Sequence, residues 1–205
     1  MKWILATRNA GKLAEFQRLL AHWPVELVPV TEFPEVPQLN EDAPTLEGNA
    51  VAKALTVCRA TGQWSLADDS GMEVDALGGA PGVQSARYAG EPCNPAANNE
   101  KLLTALTGVA NRRARFRCVL ALVGPGFPPE TVEGVCEGVI AHEPRGTGGF
   151  GYDPLFIPDG YSQTFAELPP EVKNQISHRA RAVHAAWERW GRKLFGNVAG
   201  GSPNG

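Results

Sequence analysis

Apolar residues in the first third of the chain alternate between short runs and helical spacing. Residues 3–6 are a short apolar run that predicts a buried strand, and the polar stretch 7–12 separates this strand from a helix. A second strand is predicted over 25–30, and prolines in the segment 34–44 make that segment a loop. The apolar positions of the first helix are Leu13, Phe16, Leu19 and Leu20.

A second helix is predicted from about residue 45, and one lysine has an unusual position in it. Lys53 lies three residues after Ala50 and four before Val57, both of which belong to the inward apolar stripe. Lys53 therefore borders that stripe instead of lying on the solvated face. A lysine in this position needs a chemical partner.

The remaining two thirds of the chain predict a mixed set of elements. These are a strand over 64–67, a turn over 78–82, a helix from 94 or 95 to 106, an antiparallel hairpin of two alternating runs over 115–122 and 131–140, a strand over 155–157 and a C-terminal helix marked by Ala180, Val183, Trp187, Trp190 and Leu194. The order predicts an α/β fold with a mixed sheet flanked by helices. A single domain is expected over 1–195, followed by a flexible glycine-rich tail over 196–205.

Composition and charge exclude several classes of protein. The 205 residues include 23 Gly and 17 Pro, and 43% of all residues are hydrophobic, which predicts a globular protein with many loops. The formal net charge of −3 excludes a broad basic surface for nucleic acid or an anionic membrane, so a bound anion must be held by a local cluster. The four cysteines lack metal or redox spacing, and no apolar run has the length of a signal peptide or membrane span, so a cytoplasmic location is expected.

Two polar stretches follow predicted strands. Asn9 and Lys12 lie between a strand end and a helix start, where backbone N–H groups favour phosphate, although a solvated turn is an equal alternative. Asp68 and Asp69 follow the strand over 64–67, and two adjacent carboxylates at a strand end favour a nearby cation. The alternative for this pair is an ordinary acidic turn.

Two further stretches lie late in the chain. The glycine-rich segment 146–153 does not fit a dinucleotide-binding loop, because Pro154 and a strand follow it instead of a helix. It is better interpreted as a loop that presents Phe150 to a flat ligand, with a packing role for Phe150 as the alternative. Residues 177–179, Ser-His-Arg, begin the last helix, where basic side chains favour a bound anion over a solvated patch.

Together these residue types describe a nucleoside triphosphate site with Mg²⁺. Basic side chains are available for the phosphates, two acids for a metal ion and one aromatic ring for a planar base. The residues are Lys12, Lys53, Lys173 and Arg179 for charge, Glu41 and Asp69 for the metal, and Phe150 for the base.

The chain resembles the inosine triphosphate pyrophosphatase family, the Ham1-like enzymes that act on noncanonical purine nucleoside triphosphates. The resemblance spans residues 3 to 195 and rests on six short motifs in family order. They are LATRNAGK (5–12), EGNAVAKA (47–54), ADDSG (67–71), GGAPGVQSARYAGE (78–91), GTGGFGYDP (146–154) and ISHR (176–179).

This resemblance implies a homodimer of two-lobed subunits with a central cleft, and Mg²⁺-dependent hydrolysis of dITP, ITP and XTP to the monophosphate and pyrophosphate. The resemblance implies catalytic roles for Asp69, as the proposed general base, and for Lys53. It implies metal binding by Glu41 and Asp69. The implied substrate-binding residues are Thr7, Arg8, Asn9, Ala10, Gly11, Lys12, Ser70, Phe150, Gly151, Tyr152, Asp153, Lys173, His178 and Arg179.

Two alternatives stay open from the sequence. One is a pyrophosphatase of the Maf type, which acts on pyrimidine or methylated nucleotides, although the 146–154 loop and the His178–Arg179 pair argue against it. The other is a nucleotide-binding module without catalysis, in which Asp68 and Asp69 serve only as turn caps.

Overall fold

A computed structural model of the chain describes residues 1–196. Its helices are α1 (Ala10–Leu19), α2 (Leu46–Thr61), α3 (Pro95–Ala105), α4 (Pro170–Ile176), α5 (His178–Ala186) and α6 (Arg192–Phe195), with a π-helical turn (Trp187–Gly191) between α5 and α6. Its strands are β1 (Lys2–Leu5), β2 (Glu26–Pro29), β3 (Trp64–Val74), β4 (Pro81–Gly82), β5 (Arg113–Gly124), β6 (Phe127–Ile140) and β7 (Phe156–Pro158).

The seven strands form one mixed sheet, which confirms the predicted α/β class. Their order is β2-β1-β3-β5-β6-β7, with β4 paired to β3. Strand β1 is parallel to both neighbours, and Ile4 pairs with Val28 on one side and Ser65 on the other. Strands β6 and β7 are antiparallel. The parallel part corresponds to the early strand–helix alternation, and the long hairpin β5–β6 to the two alternating runs.

The chain divides into two compact units. The first comprises residues 1–69, 119–134 and the C-terminal part from Arg179, and the second comprises 70–118 and 135–178. Aromatic rings around Trp3 fill part of the first unit, where a Cβ at Gly124 would overlap the indole of Trp64. In the second unit Phe116, Phe156 and Phe165 pack together in the core.

Strand β3 is longer than predicted. The sequence predicted a strand over 64–67 that ends at the acidic stretch 68–71, but β3 continues without a break to Val74. Asp, Ser and Gly favour turns locally, yet here β3 lies inside the sheet between β1 and β5, and its second half pairs with β4 through Met72 and Gly82. Sheet pairing therefore outweighs the local preference, and Asp68 and Asp69 are strand residues.

Two other differences concern the C-terminal third. Helix α4 has only seven residues and was not predicted, since two turns are too short to give a clear period. The predicted C-terminal helix is present as α5, the π-helical turn and α6. The tail predicted over 196–205 lies outside the described residues except for Gly196.

Helix α2 begins with a side-chain cap. The hydroxyl of Thr45 accepts a hydrogen bond from the backbone N–H of Gly48 at 3.0 Å, and Gly62 ends the helix in the left-handed conformation with φ of 66°. This cap stabilises the first turn of the helix that carries Lys53.

We expect Thr45→Ala to lower the free energy of unfolding by about 1 kcal/mol, because one N-terminal N–H loses its acceptor. The matched control is Thr56→Ala in the same helix. The Thr56 hydroxyl donates only to the carbonyl of Ala52, and alanine has the higher helix propensity, so we expect a change below about 0.5 kcal/mol. Urea unfolding measures both, and equal losses would contradict the capping role.

Candidate active site

Lys53 is the centre of a charged cluster in the first unit. Helix α2 carries it on its inward side, where the residue is only 4% exposed. Its ammonium donates to Glu41 Oε1 at 2.5 Å and to Asp69 Oδ1 at 3.1 Å. These two acids, one from the proline-rich loop and one from β3, are the partners that the position of Lys53 required.

The cluster alters the pKa values of its members. Burial alone would lower the pKa of Lys53, but the charges of Asp68, Asp69 and Glu41 outweigh it and raise that pKa. Burial alone would raise the pKa of Glu41, but the charge and hydrogen bond of Lys53 leave it lower than usual. Lys53 and Glu41 are therefore both held in their charged forms.

Asp68 and Asp69 have separate partners. Successive residues of a strand point to opposite faces, and Asp68 forms an ion pair with Lys12 Nζ at 2.7 Å, whereas Lys53 donates to Asp69. Arg179 Nε lies 3.9 Å from the same Asp68 carboxylate. Complete burial would raise the pKa of Asp68, but Lys12, Lys53 and Arg179 lower it to about 2. Each adjacent acid thus has its own lysine, and no single cation between them is needed.

Asp69 has the opposite electrostatic character. Burial, with the neighbouring charge of Glu41, raises its pKa in spite of Lys53, Lys12 and a hydrogen bond from Asn49. That bond runs from Asn49 Nδ2 to Asp69 Oδ2 at 3.0 Å. A carboxylate with a raised pKa is a better proton acceptor, so Asp69 suits the role of a general base.

The loop before α1 presents backbone groups at a helix N-terminus. Asn9 caps the helix, since its Oδ1 accepts from the N–H of Lys12 at 3.1 Å, and Thr7 Oγ accepts from the N–H of Asn9 at 3.2 Å. Arg8, Asn9 and Ala10 are exposed, whereas Gly11 and Lys12 are partly buried. The predicted phosphate loop and the Lys12–Asp68 pair therefore lie together in the first unit.

Arg179 also belongs to the charged side chains of the site in the first unit. It is 5% exposed, and its Nη1 donates to Glu15 Oε2 at 2.9 Å. Glu15 lies on α1, one helical turn after Lys12. Sequence reasoning identified Arg179 but missed Glu15, whose partner lies 164 residues away in the chain.

The second unit contains a separate lysine–acid pair. Lys173 Nζ donates to Asp153 Oδ2 at 2.6 Å and lies 5.3 Å from the ring centre of Phe150 and 5.6 Å from that of Phe165. The same Asp153 oxygen accepts from the N–H of Phe150 at 2.9 Å. The predicted Lys173, Phe150 and Asp153 are thus in direct contact, with the charge of Lys173 next to two aromatic faces.

The rest of the glycine-rich loop is anchored from within the second unit. Tyr152 is buried and donates from its hydroxyl to the carbonyl of Ser85 at 2.7 Å, and this burial raises its pKa. Asn99 Nδ2 donates to the carbonyl of Gly151 at 3.1 Å.

His178, 1% exposed, stacks on Phe116 with ring centres 4.6 Å apart. Ser70 is partly buried in β3 of the same unit.

The donor set of Glu41 and Asp69 fits a hard divalent cation, since both supply carboxylate oxygens. Among residues 1–196, no group of three or more His, Cys, Asp or Glu side chains is arranged to hold a metal ion. Two acids suffice for Mg²⁺, which is commonly bound by one or two carboxylates together with substrate phosphates. The two residues therefore match a metal that arrives with a phosphorylated ligand.

Asn49 is another site residue that the sequence analysis missed. It lies one helical turn before Lys53 on α2, is 1% exposed and contacts Asp69. The signal was available, because a polar residue at i−4 from an inward lysine shares its helix face.

The fold and the site define an α/β protein with buried lysine–carboxylate clusters, of the kind that suits phosphorylated ligands. The chain belongs to the Ham1 family, whose family model matches residues 3–189.

Individual relatives agree with this membership. The dITP/XTP pyrophosphatase of Desulforamulus reducens is 54% identical over 92% of this chain and 94% of its own length, and that of Geobacillus kaustophilus is 51% identical over 91% and 93%. Among solved structures, the Ham1 protein of Staphylococcus aureus has a TM-score of 0.83 at 37% identity, covering 92% of this chain and 97% of that one. A HAM1 protein from Coxiella burnetii has a TM-score of 0.82 at 44% identity, covering 90% and 95%.

We expect Lys12→Met to lower the free energy of unfolding by about 3 kcal/mol, because the buried Asp68 carboxylate loses its closest cation. Lys193→Met is the matched control. The pair of Lys193 with Glu130 has the same 2.7 Å length, but the lysine side chain is 55% exposed, so its loss should cost under about 1 kcal/mol. Chemical unfolding of the two variants side by side tests this, and comparable losses would contradict it.

Proposed function

We propose that this chain is a Mg²⁺-dependent pyrophosphatase that hydrolyses dITP, ITP and XTP to the nucleoside monophosphate and pyrophosphate. The observation that carries the proposal is the contact of buried Lys53 with both Glu41 and Asp69. The proposal is also supported by the relatives, which are named dITP/XTP pyrophosphatases. The Maf-type enzyme and the binding module without catalysis receive no such support.

Asp69 is the proposed general base. Lys53 and Asn49 hold its two oxygens, and a carboxylate oriented in this way can accept a proton from the water that attacks the α-phosphorus. The water oxygen forms the new bond to phosphorus while the bond to the pyrophosphate oxygen breaks, so no covalent enzyme intermediate is required. Lys53 adds positive charge beside the acids, where negative charge accumulates on the phosphates during the reaction.

Glu41 and Asp69 are the proposed ligands of Mg²⁺. A bound Mg²⁺ supplies charge neutralisation for the phosphate oxygens and the leaving pyrophosphate. Thr7, Arg8, Asn9, Ala10, Gly11 and Lys12 form the proposed phosphate-binding loop, with Ser70, Lys53 and Lys173 as further phosphate contacts. The capped start of α1 supports this role, since helix N-termini attract anions.

The proposed base-binding residues are Phe150, Gly151, Tyr152, Asp153, His178 and Arg179. Phe150 offers an aromatic face that is only partly buried, and Asp153 and Lys173 hold its backbone and ring. Donors such as Arg179 favour the 6-keto oxygen of hypoxanthine and xanthine, whereas the amino group of adenine would leave a donor unpaired. A donor of this kind would favour keto purines over adenine.

The proposed setting is a cytoplasmic homodimer that acts on the free nucleotide pool, with no nucleic acid partner. No helix among the described residues has the length and hydropathy to cross a bilayer. Light scattering of the purified protein measures the subunit number, and a monomer at working concentration would contradict the dimer.

We expect the purified protein to release pyrophosphate from dITP and XTP with a kcat/KM at least about 100-fold higher than for dATP. Removal of divalent cations by EDTA should abolish release, and Mg²⁺ should restore it. A panel of dITP, XTP, dATP, dGTP, dTTP and dUTP measures the preference. Equal kcat/KM for dATP and dITP would refute the keto-purine selectivity, and a preference for dTTP or dUTP would favour the Maf-type alternative.

We expect Asp69→Asn to lower kcat for dITP by at least about 100-fold, because the asparagine amide cannot accept the proton. Asp159→Asn is the matched control, since Asp159 forms an exposed pair with Arg113 in the second unit and should retain full activity. Pyrophosphate release and calorimetric binding of a nonhydrolysable dITP analogue separate catalysis from binding. Tight binding without release by the wild-type protein would establish the binding module instead.

A further inference from the structure

We propose that Asn49 is a positioning residue that holds the two acids of the site in one arrangement. This inference rests on the proposed function and extends it to a residue that contacts the general base without taking part in proton transfer. The side-chain amide of Asn49 has two polar ends, and each end is bonded to a different part of the site.

The donor end of Asn49 fixes Asp69. Lys53 donates to Asp69 Oδ1 and Asn49 donates to Asp69 Oδ2, so each carboxylate oxygen has its own donor. The last torsion of an aspartate side chain is broad and poorly defined by its own sterics. Two donors on two oxygens restrict that torsion, and the plane of the carboxylate is set by α2, which carries both Asn49 and Lys53.

The acceptor end of Asn49 fixes the loop that carries Glu41. Asn49 Oδ1 accepts from the backbone N–H of Ala43 at 2.9 Å, two residues after Glu41. The stretch 37–45 contains no helix or strand, so its position depends on such bonds. Lys53 holds the Glu41 side chain and Asn49 holds the backbone beside it, and the loop is attached to α2 at two points.

The chemistry of these contacts requires an amide. An aspartate at position 49 has the same shape, and in its ionised form it only accepts, so it would oppose the carboxylate of Asp69 and leave Ala43 bonded. An alanine would remove both hydrogen bonds, so that Asp69 loses a donor and the N–H of Ala43 loses its acceptor. The two substitutions therefore separate the Asp69 contact from the loop contact.

The second unit offers a matched control in Asn98. Like Asn49, it is the fourth residue of its helix, it is 3% exposed, and its amide bonds a neighbouring segment at both ends. Asn98 Oδ1 accepts from Ala89 N–H at 2.7 Å, and Nδ2 donates to the carbonyl of Ala86 at 2.9 Å. Nδ2 also donates to the carbonyl of Ser85 at 3.3 Å, which accepts from the hydroxyl of Tyr152 as well. None of these partners is Asp69 or the loop that carries Glu41, so Asn98→Ala removes the same chemistry away from the two acids.

The experiment compares Asn49→Ala, Asn49→Asp and Asn98→Ala with the wild-type protein. Steady-state hydrolysis of dITP with Mg²⁺ gives kcat and KM, in an alkaline buffer that keeps the carboxyl introduced by Asn49→Asp ionised beside Asp69. Thermal unfolding gives the folded fraction. We expect Asn49→Ala and Asn49→Asp to lower kcat by about 10- to 100-fold with KM changed less than about threefold. We expect Asn98→Ala to lower Tm with kcat of the folded protein within about twofold of wild type.

A second measurement does not depend on activity. If Asn49 and Asp69 are coupled, the Tm loss of the Asn49→Ala/Asp69→Ala double variant differs from the sum of the two single losses, whereas Asn98→Ala combined with Asp69→Ala is additive. Additive Tm losses, or a kcat of Asn49→Asp equal to wild type, would overturn the proposal. If Asn49→Ala does not fold, the near-isosteric Asn49→Asp decides alone. Failure of the wild-type protein to hydrolyse dITP would instead refute the proposed function.

Discussion

The charge of Lys53 has to be balanced inside the protein, and much of the first unit's local structure meets that requirement. A buried ammonium without a partner loses several kcal/mol of hydration that only nearby negative charge can offset. Asp69 of β3 and Glu41 of the proline-rich loop provide that charge by direct contact, and Asp68 adds to it through its field. The path of a loop without regular structure is therefore tied to the helix by electrostatics as well as by packing.

The second unit also balances the charge of a lysine, Lys173, but it does so with different chemical groups. The ammonium of Lys173 contacts one carboxylate, Asp153, and two aromatic faces. The backbone must come close to this carboxylate, and a Cβ at Gly149 would collide with it, while the φ of 69° there also favours glycine. A glycine-rich loop is therefore needed to bring Phe150 next to the charged pair. The abundance of glycine in the composition has a local cause here.

Periodicity in the sequence predicted most elements because their apolar positions face a core directly, as in α2 and the β5–β6 hairpin. It identified Lys53 for the same reason, since a charge at the edge of an apolar stripe contradicts the pattern. It could not predict the length of β3, where sheet neighbours override the turn preference of residues 68–71. It also missed Glu15, whose partner Arg179 is distant in the chain, and Asn49, whose position on the helix face of Lys53 was a signal but whose contact with Asp69 forms only in the folded protein. The roles given to Ser70, Tyr152 and His178 stay predictions, as do the other site assignments.

The extended path of β3 through Asp68 and Asp69 has a consequence for how this protein can change over evolutionary time. Adjacent strand residues face opposite ways, so Asp68 has a lowered pKa beside Lys12 while Asp69 has a raised pKa beside Lys53. The two faces still influence each other, because the charge of Lys53 also acts on Asp68 and the charge of Lys12 also acts on Asp69. Insertion or deletion of one residue in the first half of β3 would exchange the two faces and invert both environments at once. Natural length variation should be absent from this strand and concentrated in the loops around it.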